Sequence, residues 1–361
     1  MHDLAVISTI KSIAPIEGKD RIVVANVENY NCIVNKEDFK VGDKVIYVYY
    51  DSILPEKPEF EFLRKRCWSE KFKGFRIRPM KMGNVISEGL VLPLNILPKC
   101  NYRVGDVVTD KLGIRLYDPE AKAEPVKHKG IIKLLCRYKW FRNLISKRDN
   151  KATSYPNWIV KSDEENIEKC YDKVKDLDIT YQVSEKIEGC ATVYAINKGK
   201  FEVYSHSRRV TSDRWVDYAN QINLSKKLKA YCKSLKLKGI AISGELIGPK
   251  IQSNIYERDN LELYLYGGYA LYKDNSNRKL TVSELKDASN VLGIPTVPYI
   301  GEAKVEDLDK MLKDCEGYTV LVKNKKVPRE GLVYRSSDGK VHFKVKSRSY
   351  KIWFEKKEPI E

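Results

Sequence analysis

Toward its C-terminal end the chain carries Phe343-Lys344-Val345-Lys346, two lysines at i and i+2. In a strand that spacing sends both ammonium groups to one face and Phe343 and Val345 to the other. Two such cations repel unless an anion, a phosphate above all, sits between them. A third lysine stands in Glu185-Lys186-Ile187-Glu188-Gly189, among carboxylates at the abrupt end of an apolar run. Free lysine is almost wholly protonated at neutral pH. A nucleophilic Lys186 therefore needs a depressed pKa, from desolvation or from a neighbouring cation such as a bound metal. Other polar clusters stand at the ends of strand-like runs. They are Ser207-Arg208-Arg209, a candidate anion site; Ser243-Gly244-Glu245-Leu246-Ile247-Gly248-Pro249 with Gln252 and Asn254; the aromatic Tyr264-Leu265-Tyr266; and Arg329-Glu330-Gly331-Leu332-Val333-Tyr334. Taken singly, each is equally at home as a solvated strand end. No GxxxxGK followed by Ser or Thr, and no GxGxxG opening a helix, is present, so a phosphate-cradling glycine loop is not indicated.

The elements that must position these residues are short. Over residues 156–361, strand runs at 181–186, 192–197, 201–205, 240–246, 263–272, 331–334 and 341–345 alternate with helices. Ser162-Asp163-Glu164-Glu165 has capping-box spacing and predicts a helix running toward Leu177. Thr281 with Glu284 predicts another, closed by Gly293 before Pro295. Without βαβ regularity this reads as an α+β domain of largely antiparallel strands. Residues 1–115 show runs at 4–10, 22–27, 45–50, 74–77, 89–94 and 105–108, punctuated by Pro, Gly, Asn and Asp. Evenly spaced short strands suggest a small barrel, with the OB fold the natural candidate. Within it, residues 62–78 interleave Arg64, Lys65, Arg66, Lys71, Lys73 and Arg76 with Trp68, Phe72 and Phe75. That mixture suits single-stranded or irregular nucleic acid; a solvated basic loop is the plainer alternative. Between the two halves, residues 126–151 hold nine Lys or Arg against Asp149 alone. Ile131, Leu134, Leu135, Tyr138, Phe141 and Ile145 recur there at helical spacing, which predicts a basic amphipathic helix or helix pair. It has three possible berths: a membrane surface, an RNA backbone, or the packing between domains.

Taken in order, the polar clusters resemble the motif series of the covalent nucleotidyltransferase superfamily, the ATP-dependent ligases and mRNA capping enzymes. Lys186-Ile187-Glu188-Gly189 is similar to the first motif, Ser207-Arg208 to the arginine motif and Gly244-Glu245-Leu246 to the third. Tyr264-Leu265-Tyr266 resembles the aromatic motif, Glu330-Gly331 the fourth and Lys344-Val345-Lys346 the fifth. The Gly244 to Asn254 stretch looks like RNA ligases rather than DNA ligases. So does Tyr155-Pro156-Asn157-Trp158-Ile159 with Lys161-Ser162-Asp163-Glu164, which is similar to their FPxxIPKTDE stretch. Val41-Gly42-Asp43-Lys44-Val45-Ile46-Tyr47, Asp51-Ser52-Ile53-Leu54-Pro55 and Gly83-Asn84-Val85-Ile86-Ser87-Glu88-Gly89-Leu90 resemble the N-terminal OB domain of the fifth RNA ligase family. Three positions depart from the pattern: Glu188 replaces the aspartate of KxDG, Asn166 stands where arginine is usual, and Arg209 where asparagine follows the motif arginine. The fold implied is α+β: a β-barrel OB-fold domain over 1–115, a basic helical linker over 116–155, and an antiparallel-sheet, ATP-grasp-like adenylyltransferase domain over 156–361. Fifteen residues after Lys346 leave no room for the C-terminal OB domain of DNA ligases and capping enzymes.

The resemblance also implies an activity, joining of RNA ends through a lysyl-AMP on Lys186. Lys344 and Lys346 would hold the α-phosphate, and Glu188 and Glu330 would hold Mg²⁺ or Mn²⁺ or its waters. Glu245 would bond the ribose hydroxyls, Tyr266 would stack on adenine and Glu185 would accept from its amino group, with Ile187 beside them in the nucleotide pocket. Arg208 would serve both nucleotide and substrate strand. With Arg209 and the barrel's Arg64, Lys65, Arg66, Lys71, Lys73 and Arg76 it would contact RNA or RNA/DNA ends bearing 3′-OH and 5′-phosphate, as at a duplex nick. A monomer is expected. The alternatives are a capping-type guanylyltransferase and a non-catalytic RNA-end-binding protein.

Composition agrees with a polyanionic partner. The 361 residues carry 66 Lys and Arg against 49 Asp and Glu, a formal charge of +17, which favours nucleic acid or an anionic membrane surface. No apolar stretch reaches the ~18–20 residues that span a bilayer, and charges at Asp3, Lys11, Glu17, Lys19 and Asp20 interrupt any signal-peptide core. Eight scattered cysteines without a CxxC pair fit free thiols in a reducing compartment better than a disulfide framework or zinc ribbon. An intracellular, cytoplasmic address is expected, with nucleus and organelles left open.

Overall fold

A computed structural model describes residues 3–83, 85–117, 155–160, 164–205, 209–211, 214–323 and 325–357. The chain divides into two compact units, residues 1–127 with 351–361, and residues 128–350. The basic helix expected over 126–151 lies outside the described residues. No helix among the described residues is long and apolar enough to cross a membrane.

The first unit is built from β1 (Ala5–Thr9), β2 (Ser12–Ile16), β3 (Lys19–Val27), β4 (Tyr30–Asn35), β5 (Lys44–Tyr49), β6 (Ser52–Pro55), β7 (Trp68–Ser69), β8 (Gly74–Ile77), β9 (Met80–Met82), β10 (Val85–Ser87), β11 (Gly89–Pro93) and β12 (Arg115–Leu116). They pair as β1-β5-β11, β2-β3-β4, β9-β10 and β12-β6-β8-β7. β5 is apolar without alternation because both of its faces are covered. Ile46 and Val48 join Ile7, Leu54, Phe60 and Phe75 in one core, while Val45, Tyr47 and Tyr49 join Val27, Tyr30 and Cys32 in the other. Each large side chain so buried contributes about 1.5–3 kcal/mol over its exposed state. The strand expected at 105–108 is reduced to one bridge, Val6 to Val107. Gly105 turns the chain there at φ +93°, and three backbone hydrogen bonds, Gly105 N to Ile7 O, Ile7 N to Asp106 O and Val108 N to Ala5 O, tie the short segment to β1.

The second unit holds β13 (Glu165–Asn166), β14 (Tyr181–Lys186), β15 (Cys190–Asn197), β16 (Lys200–Ser205), β17 (Arg209–Val210), β18 (Gly239–Ile247), β19 (Glu262–Leu271), β20 (Asn277–Lys279), β21 (Tyr299–Ala303), β22 (Gly331–Arg335) and β23 (His342–Lys346). Five form a sheet in the order β13-β23-β22-β14-β21 and six another, β17-β16-β15-β18-β19-β20. Helices Ile167–Val174 and Leu308–Asp314 cover one face of the five-stranded sheet with Ile167, Val174, Met311 and Leu312. Helices Arg214–Gln221, Leu224–Ser234 and Val282–Leu292 do the same for the six-stranded sheet through Trp215, Leu224, Leu228 and Leu292. The capping box at Thr281 and Glu284 forms as expected, and Gly293 ends that helix at φ +69°. The helix expected from Ser162 instead starts at Ile167, with Asn166 as N-cap. Glu165 and Asn166 pair in parallel with Phe343 and Lys344, and Glu164 is bound to Arg335 at 2.8 Å. The backbone before Ile167 is thereby committed to the sheet, and Ser162 and Asp163 lie outside the described residues.

Candidate active site

The uncovered face of the five-stranded sheet collects the polar residues. β14, β22 and β23 run antiparallel, with Lys186 opposite Gly331 and Gly331 opposite Lys346. One rung along come Ser184, Val333 and Lys344, and the next holds Gln182, Arg335 and His342. Gly331 allows this crossing. A Cβ there would lie 2.1 Å from the Val345 carbonyl oxygen, far inside van der Waals contact, so any side chain would push β22 off β23. Glu330, the residue before it, is therefore delivered between two lysines. Lys186 Nζ donates to Glu330 Oε2 at 2.7 Å, and Lys346 Nζ lies 3.8 Å from Oε1.

Glu188 follows the end of β14. Its amide donates to the Tyr256 hydroxyl oxygen at 2.8 Å, and the Tyr350 hydroxyl donates to its Oε2 at 2.9 Å. The turn lies hard against β18, since a Cβ on Gly189 would meet the Leu246 oxygen at 2.5 Å. The polar residues after β18 brace this corner. Gln252 Nε2 donates to the Gly189 carbonyl at 3.1 Å, and Asn254 bonds the backbone of Arg258 in both directions, at 3.0 and 3.1 Å. Between them the chain brings Tyr256 under Glu188.

The charges explain one another. Burial alone would push Lys186 down, but Glu330, Glu245 and Glu188 outweigh it and hold the ammonium above its ordinary value. The three carboxylates thus favour the protonated ammonium, and the depression that a nucleophile needs falls to a neighbouring cation. Glu330 is the reverse case. Burial disfavours its charge, yet Lys186 and Lys346 keep it below the usual carboxylate range. Burial, then the Glu330 charge, push Glu188 up, and burial pushes Glu245 well up. Burial and the Lys346 and Lys186 cations bring Lys344 down to about 8.

Lys186, Glu188, Glu245, Glu330, Lys344 and Lys346 therefore converge, and Ile187 is buried beside them. Glu185 points from the opposite side of its strand. The Val320 amide donates to its Oε2 at 3.1 Å, while Oε1 is buried with no hydrogen-bond partner. The Arg335 guanidinium lies over the Tyr266 ring, 5.6 Å from its centroid. No group of three His, Cys, Asp or Glu side chains among the described residues is arranged to hold a metal ion. Glu188 and Glu330 still fit a hard cation whose other positions go to water and phosphate oxygens.

Arg208 lies outside the described residues. Arg209 is 3.6 Å from Glu202. In the first unit, Arg64 bonds Glu61 and Glu56 and lies 4.0 Å from the Trp68 ring centroid. Arg76 bonds Glu355 at 2.7 Å and Lys73 pairs with Glu70. Lys65, Arg66 and Lys71 are exposed, without a carboxylate partner among the described residues. Four residues of this region escaped sequence reasoning: Tyr256, Arg335, His342 and Tyr350. His342 was within reach, because the alternation of Lys344 and Lys346 extends one rung back to it; the tyrosines carry no spacing signal.

Residues 179–352 match the family model of RNA ligase, and residues 4–94 match that of an OB-fold domain. No curated protein sequence matches the chain. Among solved structures it is similar to the Naegleria gruberi RNA ligase with pyrophosphate, at 23% identity and TM-score 0.80, covering 99% of this chain and 100% of that one. A mutant of that ligase with AMP and Mn matches at 23% identity and TM-score 0.80 over 98% and 99%. Another mutant, with ATP and Mn, matches at 24% and 0.79 over the same shares. At such identities the likeness establishes a shared fold. Residues 179–352 are thus similar to the RNA ligase family, behind a stretch over residues 4–94 that is similar to an OB-fold domain.

Proposed function

We propose that this RNA ligase works with ATP, through a lysyl-AMP on Lys186, and seals RNA 3′-OH and 5′-phosphate ends such as those of a nicked duplex. The observation that carries the reading is Lys186 Nζ at 2.7 Å from Glu330, with Lys344 and Lys346 on the same sheet face. The N. gruberi ligase of like fold is described with ATP, AMP, pyrophosphate and Mn, the set of molecules this chemistry requires.

In the first step Lys186 Nζ, having lost its proton, attacks the α-phosphorus; an N–P bond forms, the P–O bond to the β-phosphate breaks and pyrophosphate leaves. An oxygen of the 5′-phosphate then attacks the same phosphorus and frees Lys186. Finally the 3′-OH oxygen attacks the activated 5′-phosphate and AMP departs. In-line transfer of this kind needs position and charge neutralisation more than covalent help. Lys344 and Lys346 neutralise the α-phosphate, Glu245 bonds ribose and Tyr266 stacks on the base. Glu188 and Glu330 would hold a divalent cation or its waters, whose charge would offset the carboxylates' hold on the Lys186 proton. Lys65, Arg66 and Lys71, with Arg208 and Arg209, carry strand contacts, and the working form is an intracellular monomer.

Incubation with α-labelled ATP and Mg²⁺ or Mn²⁺, followed by denaturing electrophoresis, tests this. Label should remain on the wild-type chain and vanish from Lys186→Ala. Label from GTP alone would put the capping reading first, and none from either nucleotide would leave RNA-end binding.

A further inference from the structure

On the side of Tyr266 that faces Arg335, the second unit holds a cleft whose Lys279, Arg335 and His342 carry none of the nucleotide roles. It is open to solvent and lined by Tyr266, Tyr269, Lys279, Arg335, His342 and Ser243, with Gly267, Gly268 and Gly339 among its other walls. Lys279 Nζ lies 3.3 Å from His342 Nδ1 and donates to the Gly339 carbonyl at 3.3 Å. No carboxylate pairs with Lys279 among the described residues. Among the described residues, the acid that acts on Lys279 is Glu164, which is bound to Arg335 at 2.8 Å. Half-buried cations sharing a cleft with one committed carboxylate form a site short of negative charge, and burial accordingly lowers Lys279.

Resting on the ligase reading, we propose that this cleft is a second phosphate site, and that its ligand is a phosphodiester of the RNA strand. His342 and Lys346 lie four residues apart on β23, about 13 Å at ~3.3 Å per residue. The cleft is thus offset by two rungs of the sheet from Lys346. Tyr266, the platform for the adenine, is itself a wall of the cleft, so the cleft lies on the base side of the nucleotide, away from the departing pyrophosphate. A phosphate there must belong to another nucleotide. The close approach of Gly267, Gly268 and Gly339 leaves room for the backbone of a strand beside the cations.

The test uses the full chain, a labelled 5′-phosphorylated RNA oligonucleotide and the α-labelled ATP assay. Lys279→Met should weaken RNA binding about tenfold and lower the slope of log affinity against log salt by roughly 0.7, the value of one single-strand phosphate contact. Lys279→Arg should restore both, and Lys304→Met, an exposed lysine elsewhere on the unit, should change neither. The KM for ATP in lysyl-AMP formation should stay as in wild type. His342→Gln should weaken RNA binding in the same direction, which guards against a misfolded Lys279 variant. If the KM for ATP rises while RNA affinity holds, the anion is the nucleotide's own phosphate chain and the assignment is overturned. Unchanged RNA affinity in both variants overturns it as well. Failure of the ligase reading shows separately, as absence of label on the wild-type chain.

Discussion

The two faces of the five-stranded sheet are made by the same strands and differ in almost everything else. Tyr181, Val183, Leu332, Tyr334, Phe343 and Val345 point one way into an apolar cluster, where Tyr334 and Phe343 stack at 5.0 Å. The intervening residues Ser184, Lys186, Arg335, His342, Lys344 and Lys346 point the other way. The first face lowers the free energy of the fold; the second gathers like charges and buried carboxylates that, without a ligand, work against it. A site of this kind exists only because the opposite face holds the strands in register, and each residue of the polar row depends on an apolar neighbour one position away. Stability and chemistry should therefore separate by parity along a single strand.

The largest effect belongs to Lys186. Lys186→Met should abolish protein labelling, a loss of at least about 10³-fold for removal of a nucleophile. It should also destabilise the chain, because Glu330 loses its 2.7 Å partner while only 6% of its side chain is exposed, and breaking a buried pair is costly. Glu330→Gln in the Lys186→Met background should recover the thermal midpoint while label stays absent. A midpoint that does not recover would mean that the pair is not what couples chemistry to stability here.

Phe343→Ala tests the other parity. Fully buried Phe343 should cost about 3–5 kcal/mol, read by denaturant unfolding, with the KM for ATP of the folded protein unchanged. A changed KM at low temperature would break the separation. Gly331→Ala lies across both faces. Its Cβ would collide with the Val345 oxygen, so about 1–3 kcal/mol should be lost, together with the approach of Glu330 to Lys186 and hence most of the labelling rate.

The parity of these strands was legible in the sequence, because i and i+2 spacing is a property of the backbone alone. So were the strands carrying Lys186, Glu245 and Tyr266, whose apolar runs are long and well bounded. The helix start at Ile167 was not. The capping-box spacing at Ser162 is local, whereas the pairing of Glu165 and Asn166 with β23 is a contact across some 180 residues of chain. The direction of the Lys186 shift was equally hidden: Glu330 and Glu245 are distant in sequence and lie beside Lys186 only after folding. Tyr350 on Glu188 falls in the same class. Glu188 reaches one methylene further than the usual aspartate, and only the structure reveals the hydroxyl that holds its oxygen.

The smallest predicted effect separates the two faces by pH. Burial, then the cations of Lys346 and Lys186, bring Lys344 down to about 8 against opposition from Glu164 and Glu330. Below that pH its ammonium is available to a phosphate; above it the charge is lost. The KM for ATP should therefore rise as pH passes through about 8, by at most about tenfold per unit because Lys346 remains. Lys344→Arg should flatten the rise, since a guanidinium does not titrate in this range. The fold should respond with the opposite sign. Unfolded Lys344 has a pKa of about 10.4, so between about 8 and 10.4 the unfolded chain binds more protons than the folded one, and this residue's contribution to stability grows with pH. ATP affinity and stability moving in opposite directions over that window would identify Lys344 as a cation held against the preference of the fold. A KM that stays flat from pH 7 to about 9.5 would show that the site accommodates the charge without strain.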